Sequence, residues 1–109
     1  MSEQITIKVS ELIGKHICIS ADDGQKVYSK IDHLLREGNH ISVSFEGVTL
    51  VISFFLNVAI GQLYGSFDEQ TIRDHLRVEG LEPDDRELLK QVVDNAKLYF
   101  PNKKAQNAK

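Results

Sequence analysis

Apolar and polar positions change their rhythm halfway through Ile41–Gly65, ISVSFEGVTLVISFFLNVAIGQLYG. Ile41, Val43 and Phe45 alternate with Ser42 and Ser44, the two-residue period of a pleated strand with one face inward. Glu46 and Gly47 break that period. From Ser53 onward, Phe54, Phe55, Leu56, Val58, Ala59, Ile60, Leu63 and Tyr64 cover most of a helix circumference, the pattern of a helix enclosed on nearly every side. The stretch reads as strand, turn and buried helix, and the rest of the chain is arranged around it.

Upstream, Ile5, Ile7 and Val9 alternate with Thr6, Lys8 and Ser10, which predicts a first strand. Glu11–Lys15 contains Gly14 and reads as a turn, leading to a short second strand at Ile17 and Ile19 that would lie antiparallel to the first. Asp22, Asp23 and Gly24 supply helix-start chemistry. Val27, Ile31, Leu34 and Leu35 form one apolar stripe, which Gly38 is placed to end in a left-handed conformation. Lys26, Lys30, Asp32, Arg36 and Glu37 then become the solvated face. Strand, helix and strand in this order predict a parallel pair joined through a helix.

Downstream, Ser66-Phe67-Asp68-Glu69 has the form of a capping box, predicting a helix to about His75. Leu76–Leu81 reads as a last strand. Pro83 with Asp84 and Asp85 opens a closing helix whose stripe is Leu88, Leu89, Val92, Val93, Ala96 and Tyr99, and Pro101 stops it. Residues 1–100 make one domain, and residues 101–109, polar apart from alanine, make a flexible tail.

Composition narrows the function classes. A chain of 109 residues, 41% apolar and 27% charged, buries a core without disulfides or metals. A net charge of −3 argues against a nucleic-acid partner, since phosphate backbones are held by clustered Lys and Arg. The single cysteine, Cys18, between Ile17 and Ile19, predicts a reduced, partly buried thiol. The first residues lack the basic flank and apolar run of a secretory signal, which points to the cytoplasm. Val48–Leu63 contains Thr49, Ser53, Asn57, Gly61 and Gln62, and fits a core helix better than a membrane span.

Catalytic and metal signatures are weak. His16, His33, His40 and His75 fall in different predicted elements without ligand spacing. Asp22 with Asp23, and Asp84 with Asp85, are explained as helix-start charge. No phosphate loop and no nucleophile elbow is present. What remains is the turn from Gly47, Val48 and Thr49 to Ser53 and Phe54, where a strand hands over to a helix start at a sheet edge. Ser53 either caps the helix or offers a hydroxyl for phosphorylation. Leu50, Val51, Phe54 and Phe55 offer an apolar patch for a partner, with at least two of them expected in the core.

The run Ile41–Tyr64, preceded by the helix around Val27–Leu35 and followed by Leu76–Leu81, resembles the bacterial STAS-like domains of unknown function. These are relatives of the STAS domains of anti-sigma factor antagonists and sulfate transporters. The resemblance spans roughly Ile5 to Phe100. It implies an α/β fold, a STAS-like mixed sheet of about four strands packed with about four helices, and a non-catalytic regulatory role. Two departures stand out. Where anti-sigma antagonists carry an Asp-Ser-Ser-Gly type motif, this chain has Ile52, Ser53, Phe54 and Phe55, so Phe54 takes the phosphoacceptor place and Ser53 is the one substitute. Where the preceding strand commonly ends in Asp-Phe, this chain has Ser44-Phe45.

The expectation is a cytoplasmic protein-interaction module, not an enzyme, docking through Gly47–Phe55 with neighbouring face residues of the helix from Asp22 to Glu37. Its partner is another protein, of a kinase-like or ATPase-regulator type under the resemblance, or a second copy. No nucleic acid, membrane, metal or cofactor is expected. The alternative is a small-ligand, anion or nucleotide site at the helix start at Ser53.

Overall fold

The computed structural model describes residues 4–100. Along the chain lie β1 (Gln4–Lys8), α1 (Val9–Ile13), β2 (Ile17–Cys18), α2 (Ala21–Arg36), β3 (His40–Ser44), β4 (Leu50–Val51) and α3 (Ser53–Leu56). A π-helical turn (Asn57–Gly61), α4 (Leu63–Ser66), α5 (Glu69–His75), β5 (Leu76–Glu79) and α6 (Pro83–Tyr99) follow.

The main sheet has the order β1-β3-β5, with both pairings parallel: Ile5 faces Ile41, and Val43 faces Val78. Its middle strand, β3, is covered on both sides, as parallel strands commonly are. Ile41 and Val43 are buried, and so is Ser42, which the alternation had assigned to an open face. The Ser42 hydroxyl tolerates burial because it bonds to the Glu79 carboxylate.

The expected turn at Glu11–Lys15 is mostly helix. Val9 and Ile13, four positions apart and both buried, give α1 its inner stripe, and Gly14 closes it. With a helix in place of a tight turn, β2 cannot fold back on β1 as a hairpin. It pairs instead in parallel with β4, Ile17 opposite Leu50 and Cys18 opposite Val51, in a separate two-stranded ladder. The antiparallel expectation for this strand is thereby corrected.

Helix starts shift for local reasons. Ser20 caps α2, its hydroxyl accepting from Asp23 N at 3.1 Å, and Asp22 and Asp23 occupy the first turn. Asp68, not Ser66, caps α5, accepting from Thr71 N at 2.9 Å. Ser66 ends α4 and lies 2.6 Å from the Tyr28 hydroxyl, which ties α4 to α2. At the end of α2, Gly38 takes φ 83° and its N–H reaches Leu35 O at 3.0 Å, the left-handed closure expected.

The buried helix is enclosed because the π-helical turn packs between α2 and α6. Phe55, Leu56, Ala59, Ile60 and Leu63 are all buried there. At Gly24, α2 comes so near that a Cβ would stand 3.0 Å from Val58 Cβ. The middle of this helix is not α-helical: Gln62 N donates to Asn57 O, five residues back, at 3.0 Å. In α6, Val92 and Ala96 are buried but Tyr99 is 79% exposed, so the apolar stripe stops a turn earlier than expected. The expected stop at Pro101 and the tail 101–109 lie outside the described residues.

Candidate functional site

The turn from β3 to β4 is a fastened structure. Phe45 N donates to Glu79 O at 2.8 Å, and Val48 N closes back on Phe45 O at 3.0 Å around Gly47. His16 Nδ1 donates to Gly47 O at 3.0 Å, while Thr49 N and Thr49 Oγ1 both donate to His16 O, at 2.7 and 3.2 Å. Gly47, Val48 and Thr49 thus lie in one fastened turn, whose Gly47 carbonyl and Thr49 amide are already engaged. Val48 is half-buried against the core.

Past Thr49 the chain enters the β2–β4 ladder, and its side chains alternate sharply. Cys18 and Val51 point inward, at 0% and 5% exposure. On the outer face stand Ile17 (39%), Ile19 (42%), Leu50 (49%) and Ile52 (36%), followed by Phe54 (52%) at the start of α3. The pairing of Ile17 with Leu50, continued by Ile52 N donating to Cys18 O at 3.2 Å, sets these residues side by side. An outward face made of large apolar side chains is unusual on a surface strand pair, where polar residues normally alternate. Of the patch expected from sequence, Leu50 and Phe54 are exposed and Val51 and Phe55 are core. Ile17 and Ile19 were missed as surface residues. Their signal was present: both ladder strands are apolar at every position, leaving no polar face for solvent.

Ser53 is the first helical residue of α3 and does not cap it. The N-cap position belongs to Ile52, and no side-chain hydrogen bond closes it. The capping role expected for Ser53 is therefore corrected, and its side chain is exposed. α3 has four residues and passes directly into the π-helical turn, with helical backbone at Leu56, Asn57 and Gln62. The charged face of α2 borders a different groove, of about 1020 Å³, where Asp22, Lys26, Lys30 and His33 stand with Leu12 and Lys15.

Other candidates resolve into local roles. Cys18 is buried, and burial followed by the nearby Asp23 charge pushes its thiol up to about 11, which suppresses the reactive thiolate. His40 and His75, distant in sequence, stack with ring centroids 4.6 Å apart. Among the described residues no three His, Cys, Asp or Glu side chains group to hold a metal ion. No helix among them is long and apolar enough to cross a membrane.

The family model of the STAS-like domain of unknown function (DUF4325) matches residues 23–86. This chain belongs to that family. The match runs from the first turn of α2 to the first turn of α6, narrower at both ends than the span expected from sequence. It contains Leu50, Ile52 and Phe54, whereas Ile17 and Ile19 precede the matched segment of the STAS-like domain. No curated protein and no solved structure matches the chain.

Proposed function

We propose that this STAS-like domain is a non-catalytic regulatory module that docks another protein through the stripe Ile17, Ile19, Leu50, Ile52 and Phe54. The observation that supports it is the outer face of the β2–β4 ladder, where every exposed position is a large apolar side chain. Burying such a face against a partner removes apolar area from water, the main driving force of association. With two residues in each strand the ladder offers few backbone groups, so side-chain burial carries the affinity. Ser53, exposed beside Phe54, is the hydroxyl at which added phosphate charge would most alter this surface.

A photo-reactive amino acid placed at Leu50 in cells that make the protein tests the reading, with Lys90 on α6 as the control position. The expected result is a discrete protein adduct from position 50, none from position 90, and loss of the adduct when Ile17→Asp and Phe54→Asp are added. An adduct of twice the chain's own mass makes the partner a second copy. No adduct from position 50, or the same adducts from both positions, overturns the reading.

A further inference from the structure

The start of α3, the π-helical turn and the second half of α6 border an open groove of about 660 Å³, within the range of small-molecule sites, ~300–1,000 Å³. Its polar lining is two hydroxyls, of Ser53 and Tyr99, and three carboxamides, of Asn57, Gln62 and Asn95. Phe54, Tyr99 and Phe100 supply aromatic walls. No Lys, Arg, Asp or Glu among the described residues lines it.

The irregular helix is what gathers the carboxamides. In an α-helix, residues five apart point about 140° away from each other. The Gln62 N to Asn57 O bond winds this turn more widely, which brings positions 57 and 62 toward one side, and both line the groove. Ser53 joins them from one α-helical turn before Asn57. Gly61 completes the arrangement: a Cβ there would stand 2.7 Å from Asn57 Oδ1, so only glycine leaves the Asn57 carboxamide in place. A glycine and a π-helical turn both weaken a helix, and here both serve to position the same side chain.

We propose that the groove binds a small, uncharged, planar molecule of the carboxamide or nitrogen-heteroaromatic class, held by Asn57, Gln62 and Asn95, which line it together with the aromatic rings. Each carboxamide presents donors beside an acceptor, the complement of another amide or of a heteroaromatic N–C–NH₂ edge. The aromatic rings suit its flat face. A charged ligand is disfavoured because it would lose hydration without a counter-charge in the lining. This ligand site shares only Phe54 with the docking stripe, so either reading can fail alone.

Isotope-labelled protein titrated with nicotinamide and benzamide, and in parallel with nicotinate and benzoate, tests it by nuclear magnetic resonance. The expected result is a saturable shift of the side-chain amide signals of Asn57, Gln62 and Asn95 with the neutral amides. The carboxylates should bind at least about tenfold more weakly. Asn95→Ala, on the exposed face of α6, should weaken nicotinamide about tenfold with the rest of the spectrum in place, and Gly61→Ala should do the same by displacing Asn57. No saturable shift with either amide, equal binding of the carboxylates, or undiminished binding in the Asn95→Ala protein overturns the proposal.

Discussion

Lys15 Nζ lies 2.8 Å from Asp23 Oδ2, joining the segment after α1 to the first turn of α2 through a carboxylate whose side chain is 4% exposed. Hydrogen bonding from Lys15 is the largest cause that holds the Asp23 carboxyl below its usual range. Burial opposes it, and Ser20 and the Lys15 and Lys26 charges assist. A carboxyl depressed in the fold contributes stability that is complete above its unfolded value, about 3.9. That contribution is lost as pH falls through the lower folded value. Lys15→Met should cost about 1–3 kcal/mol at neutral pH and move acid unfolding to higher pH. Urea titrations of both proteins at pH 7 and near pH 3 check this; an equal loss at both would show that the ion pair is not the source.

Adjacent phenylalanines should respond in opposite ways. Phe55 is wholly buried and Phe54 is half exposed. Phe55→Ala should lose about 3–5 kcal/mol by leaving a cavity, whereas Phe54→Ala should stay within ~0.5 kcal/mol of the parent. Denaturant unfolding measures both, and a large loss at Phe54 would place it in the core and remove it from the proposed docking stripe.

Two serines near helix starts should differ as well. Ser20 accepts the Asp23 amide and Ser53 makes no capping bond. Ser20→Ala should cost about 1 kcal/mol, and Ser53→Ala less than ~0.5 kcal/mol. Thermal unfolding of the pair distinguishes them; equal losses would return a capping role to Ser53.

Gly80 holds the end of β5 against the entry to the β3–β4 turn. It has φ 84°, and a Cβ there would stand 2.7 Å from Glu46 N and 3.1 Å from Phe45 N. Gly38 has φ 83° and open space around it. Gly38→Ala should cost about 1–2 kcal/mol from left-handed strain alone. Gly80→Ala adds a backbone collision and should exceed that by at least ~1 kcal/mol. Comparison of their unfolding midpoints isolates the crowding; equal losses would mean the backbone there gives way freely.

The strands at Ile5, Ile41 and Leu76 and the long helices at Val27 and Leu88 were legible because each repeats its period often enough to set a phase. α1 was not, since five residues hold only one helical repeat. The π-helical turn was hidden for a different reason. A helix apolar on nearly every side carries no phase, so a change of winding at Asn57 leaves no trace in the pattern. Of the surface stripe, Leu50 and Phe54 were among the patch candidates, but Ile17 and Ile19 read only as a short strand beside Cys18. Only placement of their neighbours shows that Ile17 and Ile19 stay 39% and 42% exposed among the described residues.

The place of β3 between β1 and β5 also bears on how the chain is made. Its two partners are each about 35 residues away, one already synthesised and one still to come. As the chain leaves the ribosome, β3 emerges about 35 residues before β5, and for that interval it carries one flank bare, which a chaperone has time to shield.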